Sequence, residues 1–294
     1  MKNDFRLRSK ETFAPCQTQS TAGFTLIELL VVIAIIGVLS VIGIGVAKSA
    51  TESAYKMREV NAARQLTAAF LSTTAEGDGT YLAGMDMRVN ATTNPVRKGN
   101  GQIVANTRAA QRYPFRIAPY LGNNFNGTIL VNKNIAKIQQ IAGSSGSNYD
   151  YYVSTYPALG MNIYCVGGVV LSSGTALYNG DCITTPGRVQ RSVLAFASAG
   201  SGKGSEKVEG YCYVTPPTLS NDSPICKEWG SSSSWSSSGD PMDFGNVDFR
   251  YGGTAVCAFL DGSVRMCSVK ELNDMRLWSA NAAEQDNATY SLGP

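Results

Sequence analysis

The feature that most constrains this chain is one apolar run. From Leu26 to Ala47 the residues are LIELLVVIAIIGVLSVIGIGVA, and Lys48 ends the run. Between Phe24 and Ala47 the only charge is Glu28. At ~1.5 Å per residue, about 20 helical residues cross the ~30 Å hydrocarbon core of a bilayer, so this run is long enough to span it. It exceeds the ~7–15 apolar residues of a cleaved secretory signal, although Ala47-Lys48-Ser49 is a poor A-x-A-like site. A plain anchor leaves Glu28 unexplained. A carboxylate in hydrocarbon is costly unless it is paired, so the exception itself points to function.

The residues before the run are polar and net basic: Lys2, Arg6, Arg8 and Lys10 stand against Asp4 and Glu11, and Gly23 closes the leader. Gly-Phe-Thr-Leu-Ile-Glu followed by about 20 apolar residues resembles the type IV prepilin family, pilins and type II secretion pseudopilins. The resemblance covers residues 23–50. It implies that a membrane prepilin peptidase cuts between Gly23 and Phe24 and that the new N-terminus at Phe24 is methylated. Glu28 then lies one helical turn from the new α-amine. In the family picture it pairs with the N-terminal amine of a neighbouring subunit during assembly. Burying a matched pair costs much less than burying either charge alone.

Composition narrows the rest. The chain of 294 residues has no histidine. That removes Ser–His–Asp and Cys–His catalysis and histidine-ligated zinc or haem, so no enzymatic role is expected. A net charge of +3, with no long basic run, gives no reason to expect nucleic-acid binding. There are seven cysteines, and Cys16 falls in the leader. The six left after a cut at Gly23 are Cys165, Cys182, Cys212, Cys226, Cys257 and Cys267. An even number on the exported side fits an oxidising compartment. Pairing neighbours in sequence gives 165–182, 212–226 and 257–267 as the simplest of the connectivities.

Three regions are expected: a leader at 1–23, a transmembrane and assembly helix at 24–75, and a globular domain at 76–294. The helix is expected to run to about residue 74. Ala50, Ala54, Met57, Val60, Ala63, Leu66 and Phe70 form one apolar stripe along its second half, with Lys48–Glu52 and Glu52–Lys56 as i,i+4 pairs elsewhere. Gly37, Gly43 and Gly45 weaken its first half or allow close helix approach.

In the globular part, alternating or apolar runs predict strands at Thr128–Val131, Tyr149–Ser154, Asn162–Leu171, Gln190–Ala197 and Thr254–Leu260. A short helix is expected at Asn132–Ala142, and the serine-rich 231–238 reads as a loop. Asp261-Gly262 between alternating runs is a hairpin signal that sets Cys257 and Cys267 facing each other. The fold class is therefore α+β, a long N-terminal helix packed on an antiparallel sheet.

The C-terminal stretch also resembles a prepilin-like subgroup marked by a histidine, nine residues and Asp-Gly. Tyr251 stands at the histidine position before Asp261-Gly262, and Arg112–Leu121 and Leu159–Asn162 resemble further pieces of that subgroup. Pseudopilins with such C-terminal regions often bind calcium, which makes Asp240, Asp243 and Asp248 calcium candidates beside Asp261. No EF-hand spacing is present, and turn capping competes for the same aspartates. The tyrosines 149, 151, 152, 156 and 164 read as packing residues, with a binding face as the alternative.

The reading is a filament subunit, pilus or secretion pseudopilus, with no cofactor except a candidate calcium ion. Its partners are other pilin subunits, the prepilin peptidase and the inner membrane. Its location is the bacterial inner membrane as precursor and then a periplasmic or surface filament. The alternative is a membrane-anchored or secreted binding protein that forms no filament.

Overall fold

The computed structural model describes residues 23–76, 79–177, 180–188, 193–218, 229 and 235–292. The leader before Gly23, Cys16, Cys226, positions 190–192 of the expected fourth strand and residues 231–234 of the serine-rich run lie outside the described residues. The chain divides into two compact units, Met1–Ala50 and Thr51–Pro294.

Helix α1, Leu26–Glu76, is 51 residues long and continuous. In the first unit its side chains are exposed all round, from Val32 at 44% to Leu26 at 83%. It is the one helix among the described residues long and apolar enough to cross a membrane. A helix this apolar with no buried face calls for lipid or other protein around it. Its backbone is satisfied internally, and Ser40 returns its hydroxyl proton to Ile36 O at 2.7 Å.

In the second unit α1 becomes one-sided. Glu59, Val60, Ala62, Ala63, Leu66, Thr67, Ala69, Phe70 and Thr73 are buried. Of the expected stripe, the buried part therefore starts at Val60. Ala50 and Ala54 are exposed, and Met57 keeps 51% of its surface in solvent. Periodicity marks which face is apolar. It does not mark where the sheet begins to cover that face.

The globular unit is α+β, as expected. After β1 (Met85–Asp86) come short helices α2 (Thr107–Gln111) and α3 (Tyr113–Ile117), then α4 (Lys133–Ala142) and α5 (Gly146–Thr155). Strands β2 (Leu159–Met161), β3 (Val169–Val170), β4 (Ala176–Leu177), β5 (Leu194–Ser198), β6 (Thr254–Phe259) and β7 (Val264–Ser268) follow, then α6 (Val269–Leu272) and α7 (Ala280–Glu284). The main sheet is antiparallel throughout, in the order β2-β5-β6-β7. A small sheet places β3 between β1, which is parallel to it, and β4, which is antiparallel.

Strand β5, Leu-Ala-Phe-Ala-Ser, is buried at every position. Phe196 meets Phe70 of α1 edge-on at 5.4 Å, and Phe70 stacks on Tyr81 at 5.1 Å. A second aromatic group sets Trp229 edge-on to Phe244, Phe249 and Trp278.

The hairpin at Asp261-Gly262 forms. Gly262 takes φ 82°, and Phe259 N donates to Ser263 O at 2.9 Å. The helix expected at Asn132–Ala142 forms as α4, after Asn132. Other expectations need correction. Tyr149–Ser154 lies in helix α5, whose buried residues Asp150, Val153 and Ser154 recur at helical spacing instead of alternating. The run Asn162–Leu171 turns at residues 162–168 and is extended only at β3. Thr128–Val131 contributes only an isolated bridge through Leu130. Short apolar runs fit a turn, a strand or a buried helix, and tertiary packing selected among them here.

Candidate functional site

Two arrangements of side chains carry the chemistry of α1. The first lies at its start. Residues 23–25 precede the helix, so the Gly23–Phe24 bond is outside the helical hydrogen-bond ladder. A Cβ on Gly23 would meet nothing within 4 Å, and Phe24 is 80% exposed. This is an open, non-helical bond of the kind a peptidase can take in extended form.

Thr25 precedes the first helical residue, and Glu28 stands three positions on. Thr25 N and Oγ1 donate to Glu28 Oε2 at 2.8 and 2.7 Å, and Glu28 N donates back to Thr25 Oγ1 at 3.3 Å. This reciprocal pattern is a capping box, and it holds the carboxylate at the positive end of the helix. The signal was readable as Thr-x-x-Glu before an apolar run. Capping and pairing with an amine are compatible in space, since both bonds from Thr25 fall on one carboxylate oxygen.

The second arrangement is buried in the globular unit. Glu59, 1% exposed, projects from α1 to the sheet. Ser198 Oγ of β5 donates to its Oε1, and Tyr251 Oη donates to its Oε2 at 2.6 Å. Arg250 Nη2 stands 3.4 Å from Glu59 Oε1 and also donates to the carbonyls of Ala158 and Ala199 at 3.1 and 2.9 Å. Asp248 faces Arg250 at 3.7 Å and Lys207 at 2.9 Å, and Glu209 reaches Arg250 at 3.8 Å. Burial opposes the Arg250 charge, but Glu59, Asp248 and Glu209 outweigh it and raise its pKa. Burial pushes Glu59 above the usual carboxylate range, against the pull of Arg250, Ser198 and Tyr251. Burial, then the Glu59 charge, raises Tyr251.

Tyr251 also meets Tyr55 O of α1 at 3.3 Å, and Asn132 Nδ2 donates to the same carbonyl at 2.9 Å. Asn132 does so from φ 58°, ψ −128°, a conformation costly for a residue with a side chain. Tyr251, just before β6, thus ties α1 to the sheet side of the unit. Of this group, the sequence had marked Tyr251 at the signature position and Asp248 as a calcium candidate. Glu59 carried a signal, as a carboxylate beside Val60 in the apolar stripe. Ser198 and Arg250 carried none.

The calcium candidates do not converge on a cage. Asp240 Oδ1 accepts from Met242 N at 3.0 Å as a helix cap. Asp248 is buried and faced by two cationic side chains, an environment that disfavours a third cation. No group of three or more acidic, cysteine or histidine side chains among the described residues could hold a metal ion.

Cys165, Cys182, Cys212, Cys257 and Cys267 are buried thiols. Cys257 and Cys267 do not stand directly opposite: the register pairs Cys257 with Arg265 and Ala255 with Cys267. Their thiols still meet diagonally. Burial and the bond to Cys267 push Cys257 up, and the same bond pulls Cys267 down. Tyr152 stacks on Tyr156 at 5.9 Å and Tyr156 meets Tyr211 at 6.3 Å, all half-buried, so these tyrosines pack side by side.

Residues 19–44 match the model of the prokaryotic N-terminal methylation motif. The match takes in Gly23, Phe24 and Glu28 and supports a type IV prepilin-like or pseudopilin signal. Together with the exposed apolar helix it fits a membrane-anchored precursor and points to a structural protein. No curated protein and no solved structure matches the chain.

Proposed function

We propose that this chain is a structural subunit of a type IV pilus-like or type II secretion pseudopilus filament. Prepilin peptidase hydrolyses the Gly23–Phe24 bond, and the freed α-amine of Phe24 receives a methyl group. The apolar helix holds the precursor in the inner membrane and then joins the helices of neighbouring pilin subunits. Glu28 pairs there with the amine of an adjacent subunit. In this reading the chain is the substrate of an enzyme.

The observation that carries the proposal is the methylation motif placed on an exposed apolar segment whose one carboxylate up to Ala47, Glu28, is held in position by Thr25. The anchor alone would also suit a membrane-bound binding protein. N-terminal sequencing and intact mass of the protein from cell envelopes separate the two. A chain starting at N-methyl-Phe24 in the wild type, and at its original start in Gly23→Val, is expected. Retention of residues 1–23 by the wild type, or a cut near Ser49, would leave an anchored or secreted binding protein instead.

A further inference from the structure

We propose that Cys165 and Cys182 are joined by a disulfide that fastens the small sheet to the core beneath it. The pairing comes from the backbone. Val166 and Ile183 form a parallel bridge: Ile183 N donates to Cys165 O at 2.8 Å, and Gly167 N donates to Ile183 O at 2.9 Å. One step back along both segments brings Cys165 beside Cys182. Cys165 ends a turn and Cys182 directly precedes Ile183, so the two flank one isolated parallel bridge. Bridged segments lie ~4.8 Å apart, and disulfides span Cα separations of ~4.4–6.8 Å. Both side chains are buried, and each is close enough to matter to its surroundings. The Cys165 thiol is pushed up by burial and then by Cys182, and a Cβ added at Gly168 would stand 3.2 Å from Cys182 Sγ.

The thiols of Cys257 and Cys267 also meet, but from a wider backbone separation. Cys257 and Cys267 are diagonal neighbours, a relation that sets Cα atoms ~7–8 Å apart in an antiparallel pair. Cys212 sits beside the Met161–Tyr213 bridge, away from this pair in the ladder.

The bond would close a loop that holds β3 and β4. That loop receives the chain after α1: Gly84 N donates to Gly168 O at 2.9 Å and Met87 N to Val170 O at 2.8 Å, while Tyr81 N donates to Thr184 O, two residues beyond Cys182, at 2.7 Å. The disulfide would therefore hold together the segment on which the C-terminal end of α1 is continued.

The chemistry is thiol–disulfide exchange with an oxidised thiol–disulfide oxidoreductase. One cysteine thiolate attacks a sulfur of the donor disulfide and releases the donor's other thiolate. The second cysteine then displaces the donor from the mixed disulfide. Two thiol protons and two electrons leave the chain, and the donor becomes a dithiol. Burial pushes Cys182 up to about 12 and Cys165 well above its ordinary value, so the folded dithiol holds little thiolate. The bond should form before residues 166–181 dock and should resist reductant once they have.

The compartment that supplies the oxidant rests on the exported reading above; the pairing rests on the ladder. The test is non-reduced peptide mapping of alkylated protein from envelopes, with its N-terminus read in the same sample. A Cys165–Cys182 linked peptide, lost on reduction in denaturant and kept under dithiothreitol in native buffer, is expected. In a chain starting at Phe24, alkylation of both residues before reduction, or a link from either to another cysteine, overturns the inference. If the chain keeps its leader, the purified protein is unfolded, reduced and refolded with oxidised glutathione, then mapped. The 165–182 link supports the pairing even though the filament reading has failed, and any other link or none overturns it.

Discussion

The hydroxyl of Tyr251 donates 2.6 Å to the buried carboxylate of Glu59, across 192 positions of sequence. One bond thus joins the end of the globular chain to the helix that begins it. The network around it is complete enough that removing a member should be felt. Tyr251→Phe keeps the ring and removes the donor. A hydrogen bond to a charged group contributes about 1.5–3 kcal/mol, so we expect a stability loss of about that size. Urea unfolding measures it, and an unchanged midpoint would show that the bond contributes nothing.

Glu59 also predicts a pH dependence. Its folded pKa is raised by burial, so the folded state binds its proton more tightly than the unfolded chain does. Its charge therefore works against the fold at neutral pH. Its contribution to stability is complete below the unfolded value near 4.5 and is lost as pH rises through the folded value. Glu59→Gln removes this dependence. Wild type should gain on the variant as pH falls from 7 toward 4.5, and parallel curves over that window would show that Glu59 does not titrate there.

Phe70 joins α1 to the sheet through Phe196 and to the following segment through Tyr81. Phe70→Ala should cost about 3–5 kcal/mol, the range for a fully buried aromatic residue. Hydrogen exchange should speed most in residues 60–76 and in β5. A loss under about 1 kcal/mol would mean that the helix is held mainly by the Glu59 network.

The proposed pairing of Glu28 predicts that substitutions there separate insertion from assembly. Glu28→Ala should leave membrane insertion intact, since it only raises the apolarity of the span, and should lower incorporation into filaments. Thr25→Val keeps the carboxylate and removes the hydroxyl that donates to it, so it should give a smaller defect in the same direction. Sheared filament yield against envelope-bound subunit is the readout. Normal filaments from Glu28→Ala would remove the pairing role.

Much of α1 was legible in the sequence because its signals are local. Uninterrupted apolarity marks the span, and Gly-Phe-Thr-Leu-Ile-Glu marks its start. Asp261-Gly262 marks the hairpin because its φ requirement belongs to the turn itself. The apolar stripe was legible as a face but not in extent. Met57 and Leu66 look alike in the pattern, and only the reach of the sheet leaves one in solvent and buries the other. The tyrosines of α5 were misassigned for the same reason, since a short apolar run carries no statement of what will pack on it.

Local sequence suffices for the apolar helix, its capping Thr25–Glu28 pair and the non-helical Gly23–Phe24 bond before it. Each depends on residues within one or two turns of one another. That Glu59, Ser198, Arg250 and Tyr251 share one buried site, and that Val166 bridges Ile183, depends on the folded chain. Those relations are set by sheet register and by the burial that makes an unpaired charge costly, and both exist only after distant segments meet.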